Sequence, residues 1–391
     1  MYRVVLKIFS VALAASIGCA NAAESRFSKV APGRPDISFR NEVQHAIDKG
    51  LAWLESNQNT NGYWSSAENP AVTAVVLNSF MGEPTGRYKT NWTAPIKKGY
   101  AFLLSNVQSD GGIYRKELQN YNTALSLLAL VSARKSEFEP AIRRARQWLI
   151  GQQIDLGEKG KTDSPFDGGI GYGSKGDHSD MNNTLTALEA LHYSKDFQTD
   201  KTPAGAKDLN WKAVLNFLQS CQNLPSYNKE SWVSGDAKNL GGFIYTPGES
   251  KAGAETNSSG KSALRSYGSI SYAGLLSYIY ADLKRDDPRV IAVIDWLAKN
   301  FSIEENPGMG EQGYYYYLHL MTKALAVAGV DRVEMKDGKQ LNWRHEVAMK
   351  LINSQKADGS WLNENGRWWE KDPSLVTAYA VLSLEIIYHG L

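Results

Sequence analysis

Hydrophobic and polar positions alternate between two kinds of segment along this chain. In the first kind, apolar residues recur near i, i+3, i+4 and i+7 and charges occupy the other side, as in "IRRARQWLIGQQ" (Ile142 to Gln153). That spacing predicts a helix with one buried face. The second kind is apolar almost all round, as in "AVTAVVLNSF" (Ala71 to Phe80) and "YNTALSLLAL" (Tyr121 to Leu130). A helix of that composition is buried on every side.

The alternation is a repeat. One-sided segments recur at Ile47 to Trp64, Ile96 to Tyr114, Ile142 to Gln153, Trp211 to Gln222, Val290 to Phe301 and His345 to Trp361. Most end on a Gln, and a Gly-rich turn bearing an aromatic follows. The apolar partners are Ala71 to Phe80, Tyr121 to Leu130, Met181 to Leu191, Ser269 to Ala281, Tyr314 to Gly329 and Ser374 to Ile386. Six hairpins with fully buried second helices predict six inner helices wrapped by six outer ones. An open solenoid is the alternative; the absence of a polar capping repeat favours closure. Residues 154–166, 223–240 and 246–264 read as insertions, the last being the most loop-like.

The first residues stand outside this pattern. Arg3 and Lys7 precede an apolar run from Ile8 to Ala20, and Ala20-Asn21-Ala22 fits a small-x-small cleavage site. This predicts a signal peptide over 1–22, an extended lead-in over 23–41, and an exported (periplasmic or secreted) mature chain. Lipid attachment at Cys19 is the secondary reading, disfavoured because Ser16 stands where a larger aliphatic is usual. Removal of 1–22 lowers the formal charge from +2 to zero, which argues against nucleic acid as a partner. It also leaves Cys221 as the lone cysteine, so no internal disulfide is expected.

The units "GLAWLESNQNTNGYW" (Gly50 to Trp64) and "QKADGSW" (Gln355 to Trp361) resemble prenyltransferase and squalene-oxidase repeats. Those repeats build terpenoid cyclases and the β subunits of protein prenyltransferases. The resemblance spans about residues 42–388 and implies an all-α, single-domain (α/α)6 toroid over 42–391, around an apolar funnel able to hold an isoprenoid.

Site residues were carried over position by position. Squalene cyclases open one inner helix with Asp-x-Asp-Asp-Thr-Ala, whose middle Asp protonates an alkene. The matching run is Asp180-Met181-Asn182-Asn183-Thr184-Leu185. Asp180 remains, but the donor position holds Asn182, and an amide is no acid. Asp177 or His178 would have to substitute; otherwise Asp180, Asn182 and Asn183 read as helix capping. The prenyltransferase zinc set needs Asp, Cys and His. Glu311, Gly313 and a helix "PSLVTAYAV" without His stand there, so neither zinc nor any other cofactor is expected. "GMGEQ" (Gly308 to Gln312) also resembles the thioester motif of α-macroglobulins, but Met309 replaces its nucleophilic Cys, leaving a Gly-rich turn.

The remaining candidates are groups that the starts of the inner helices bring toward one rim. Asp180, Glu311 and His319 are the catalytic candidates. Asn182, Asn183, Arg265, Tyr267, Tyr315, Trp368 and Trp369 are the ligand-binding ones. Tyr315, His319 and Thr322 are expected to share a helix face, with His319 a general base or a neutral histidine satisfied by a tyrosine. The leading expectation is a protein without the family's acid and zinc ligands, which binds an apolar or extended ligand centrally or serves as a scaffold. A cyclase with a displaced acid and a glycan-active toroid using Asp180 and Glu311 are the alternatives.

Overall fold

The computed structural model describes residues 26–29, 36–173, 178–198, 208–256, 260, 262–335 and 338–391. The expected signal peptide, Cys19 and Asp177 lie outside them. Twelve helices, in outer–inner pairs, make up the body. The outer helices are α1 (Ile37–Ser56), α3 (Ala94–Ser105), α5 (Glu139–Ile150), α7 (Trp211–Ser220), α9 (Pro288–Lys299) and α11 (Trp343–Ser354). The inner ones are α2 (Pro70–Gly82), α4 (Gln119–Ala133), α6 (Met181–Tyr193), α8 (Gly268–Tyr280), α10 (Tyr314–Val327) and α12 (Pro373–Tyr388). A one-turn helix, Arg87–Thr90, follows α2.

Each inner helix packs against the next, and α12 packs back against α2. The ring is closed, and the protein is an (α/α)6 toroid. Outer helices lie in the grooves outside: α3 on α2, α5 on α4, α9 on α8, and α1 on α12. The helix α1 begins inside the stretch expected to lead in extended, because Asp36 accepts the Phe39 N–H as its N-cap.

The repeat grammar has a hydrogen-bonding reason. The side-chain amide of Gln58 donates to Gly62 O in its own turn and to Pro95 O in the next outer helix. Gln153 does the same to Gly168 O and Asn210 O, and Gln222 to Gly241 O and Arg289 O. Gln355 donates to Gly359 O and to Ala46 O of α1, closing the outer ring. These turns bring backbone against backbone. At Gly168, where φ is +91°, a Cβ would lie 2.0 Å from the Ala213 carbonyl, so only glycine fits.

The residue two places after each of these turn glycines is tied to its inner helix. Trp64, Ile113, Ile170 and Trp361 donate their N–H to Thr73, Thr123, Thr184 and Thr377 Oγ1, and Phe243 donates to Ser271 Oγ. Helix starts are then capped by the following unit. Asn122 accepts from Ala71 N–H, Asn306 from Ser269 N–H, and Glu370 from Tyr315 and Tyr316 N–H. Satisfying orphan donors this way couples neighbouring repeats.

Short strands decorate the rims: β1 (Phe27–Ser28), β2 (Ala254–Thr256), β3 (Ser262–Leu264), β4 (Arg332–Glu334) and β5 (Gln340–Leu341). β4 pairs antiparallel with both β1 and β5. β2 and β3 form a hairpin within the segment expected to be most loop-like.

Candidate functional site

The ring encloses a cavity of about 860 Å³. Its apolar wall comes from Val75 and Met81 on α2, Leu125 and Leu128 on α4, Leu185 on α6 and Leu382 on α12. Its floor is aromatic. Tyr121 and Tyr379 hydroxyls lie 3.2 Å apart, and the Tyr316 ring packs 5.7 Å from that of Tyr379. The Tyr316 hydroxyl donates to Asn182 Oδ1 at 3.1 Å. The Asn182 side chain therefore stands behind Tyr316, against the cavity floor.

The opposite end is open. Arg40, Lys89, Arg134, Lys135 and Lys195 stand around the mouth with Glu139 and Asp196. The mouth thus carries an excess of positive charge at the C-terminal ends of the inner helices. Arg40 lies over the Tyr388 ring and Lys135 over Trp92, at 4.4 and 4.9 Å from the ring centres.

This arrangement relocates most of the expected site. The starts of the inner helices do collect at one rim, but the hollow opens at the other. Asp180 is buried as the N-cap of α6, with Oδ1 accepting Asn183 N–H and Oδ2 accepting the Asn183 side-chain amide. Burial pushes its carboxyl up to about 6 against the hydrogen bonds from Asn183. Asn183 is itself held by Asn120. Thr184 belongs to the repeat scaffold. Of the run, Leu185 lines the cavity, and Asn182 reaches the floor through the Tyr316 hydroxyl.

Glu311 is exposed on the turn before α10, and nothing pairs it with the doubly bonded Asp180. Arg265 is exposed beside Glu255 at 3.6 Å, and Tyr267 is buried at the start of α8. Trp368 and Trp369 are 40% and 50% exposed, with φ of 54° and 68°. That left-handed turn tucks Glu370 under the start of α10, where burial holds its carboxyl above the usual range. The two tryptophans sit outside the cavity, with Arg367 over Trp368 at 4.6 Å.

His319 lines the cavity, but not with Tyr315. Its face is shared by Tyr316 and Lys323, while Tyr315 is buried off the cavity wall. At 100° per residue, i+3 and i+4 flank the same line, and the ring centre selects Tyr316. The His319 ring stacks on Tyr379 at 5.5 Å, interplanar angle 21°, and its Nδ1 has no hydrogen-bond partner. The expected tyrosine partner is a stacking neighbour. Burial, aided by Lys323, holds the imidazole well below its usual pKa, so it is neutral.

Sequence reasoning passed over the pair beside it. Lys323 Nζ lies 2.8 and 3.0 Å from the two Glu189 oxygens, with both side chains 8% exposed. The pair joins α6 to α10, which are not neighbours in the ring, across the face of α8. A signal was available: each is the lone carboxylate or ammonium in an otherwise apolar inner helix. Glu385 in α12 is a third such residue. It is buried against Gly82 with neither oxygen partnered, and burial, reinforced by Glu83, raises its pKa well above the carboxylate range.

Among the described residues no three His, Cys, Asp or Glu side chains gather as metal ligands, and no helix is long and apolar enough to cross a membrane.

No family model matches the sequence. A terpene cyclase/mutase of Nectria sp is 24% identical over 170 residues, which are 40% of this chain and 23% of that protein. The chain thus matches under a quarter of that relative's length. The fold is an (α/α)6 toroid shared by solved enzymes of different chemistry. A type II terpene cyclase from Scytonema, solved with merosterolic acid A, superposes with a TM-score of 0.52 at 13% identity, covering 91% of this chain and all of that one. An α-1,6-mannanase of Salegentibacter sp. shares the fold at TM-score 0.52 and 11% identity over 88% of this chain and 99% of that one. A D-mannose isomerase does so at 0.52 and 13% over 92% of this chain and all of that one. Similarity at these identities fixes the architecture and leaves the chemistry to the residues.

Proposed function

We propose that this protein binds an apolar, isoprenoid-like molecule in its central cavity, with one end of the ligand at the basic mouth and the other on the tyrosine floor. The observation that carries the reading is the cavity itself: about 860 Å³, walled by Leu, Val and Met, closed at one end and open at the other. Ligand sites of this kind are concave, mostly apolar and a few hundred to a thousand Å³. A hollow of this size supports ligand binding over a purely structural scaffold.

The residues give less support to the alternatives. A protonating cyclase needs an acid facing the ligand, yet the floor presents tyrosines backed by Asn182, and both oxygens of Asp180 are committed to Asn183. Glycan hydrolysis by a carboxylate pair needs two facing groups, and Asp180 is buried while Glu311 is exposed.

The test is native mass spectrometry of the protein purified from its own host, beside Leu128→Trp, which fills the middle of the cavity. A hydrophobic small molecule retained by the parent and lost from the folded variant is expected. A parent that carries nothing and takes up no added isoprenoid, or a variant that retains the ligand, would refute the proposal.

A further inference from the structure

One side of the cavity wall is polar in a way that a hydrocarbon ligand would leave unsatisfied. Lys323 carries three protons and gives two to Glu189, so one remains. The Glu189 carboxylate keeps spare lone pairs. One helical turn from Lys323, the neutral His319 ring offers an acceptor and a donor, and its Nδ1 has no partner in the protein. His319 is 6% exposed. A buried imidazole without partners is disfavoured. Across the hollow, Val75, Leu125, Leu128 and Leu382 offer no polar atom. Between the tyrosine floor and the basic mouth, the wall is therefore polar on its α6–α10 side and apolar opposite it, apart from Asn78 and Ser132, which bond each other.

We infer that the ligand is an alcohol: an apolar skeleton bearing a hydroxyl seated between His319 and the Glu189–Lys323 pair. The inference rests on the cavity being a ligand site and names the chemical class that it takes. A hydroxyl both donates and accepts, so it serves the spare Lys323 proton together with a Glu189 or imidazole lone pair. A ketone only accepts and would leave those lone pairs unserved. A carboxylate would set a second negative charge against Glu189. A hydrocarbon would bury all of these groups dry.

The experiment compares farnesol with farnesene, which share a carbon skeleton and differ by one molecule of water, the hydroxyl giving way to an additional double bond, by equilibrium dialysis against the full chain. Farnesol is expected to bind roughly tenfold more tightly, the effect of one or two well-placed hydrogen bonds in a closed site. His319→Phe keeps an aromatic ring on Tyr379 and removes both nitrogens. It should lower farnesol affinity several-fold and farnesene affinity far less. A Glu189→Gln/Lys323→Met double variant, which removes both charges together, should also erode the preference. Equal affinity of the parent for the two compounds would overturn the alcohol assignment while leaving the cavity a ligand site. So would a preference that survives in both folded variants. Binding of neither compound would refute the cavity as a ligand site, and the alcohol assignment with it.

Discussion

The Tyr316 hydroxyl donates to Asn182 Oδ1 across 3.1 Å, and this bond backs the floor of the cavity, at the position where the squalene-cyclase resemblance implies an acid. The two residues are 134 positions apart and come from α10 and the start of α6. Exchanging the amide for a carboxyl there changes little in shape and supplies an acid far stronger than the neighbouring Tyr316 phenol. Asn182→Asp is expected to form ring-containing products from an acyclic isoprenoid alcohol, detected by gas chromatography–mass spectrometry, at a rate above the parent's. Indistinguishable product profiles would mean that the floor does not face a ligand alkene.

Asp180 makes stability depend on pH. Its folded-state value of about 6 lies above the ordinary 3.8, so the folded chain holds the proton more tightly than the unfolded one. The stabilisation is present in full below pH 4 and is lost as pH rises from about 4 to 6, by about 3 kcal/mol at most. Asp180→Asn retains a capping oxygen and has nothing to titrate. The difference in unfolding free energy between parent and variant should therefore shift across pH 4–6 in favour of the variant and stay flat above it. Urea denaturation at closely spaced pH values measures it.

The repeat contacts have predictable costs. Thr184→Val leaves the buried Ile170 N–H without its acceptor and should cost about 1–3 kcal/mol. Thr377→Val, which does the same to Trp361 N–H, should cost a similar amount. Gly168→Ala sets a methyl against the Ala213 carbonyl, whereas Gly160 has a similar φ of +80° and nothing within 4 Å. Gly160→Ala should therefore cost only about 1 kcal/mol, and Gly168→Ala several times more. Chemical denaturation of the four variants checks all of these.

The Glu189–Lys323 pair is expected to behave as a buried ion pair. Lys323→Met strands a carboxylate in the cavity wall and should cost about 3–5 kcal/mol. The Glu189→Gln/Lys323→Met double variant should recover most of that loss. A double-mutant cycle from thermal or urea unfolding gives the coupling; additive losses would place the two charges in solvent instead.

The double-ring architecture was legible in the sequence because burial leaves a periodic mark. One-sided helices such as Ile142 to Gln153 became the outer ring, and all-round apolar helices such as Ala71 to Phe80 became the inner one. Among the positions flagged as grammar, Gln58, Gln153, Gln222 and Gln355 staple their turns to the next outer helix. Capping at Asp180 was legible too, since a cap is a contact within a few residues. Glu189, Lys323 and Glu385 could have been noticed as lone charges in apolar helices, but nothing local says which partners they meet.

The chain alone determined the kind of helix at each position, the order of the pairs and the amide character of Asn182, because each rests on local periodicity or on one residue's chemistry. Tertiary structure decided which end of the ring is shut, which of four adjacent tyrosines faces inward and that Glu189 meets Lys323. Tyr121 and Tyr379 meet over a separation of 258 residues, and an inner helix buried on all sides gives no hint of which side is hollow. Only closing the ring turns one face of each such helix toward empty space.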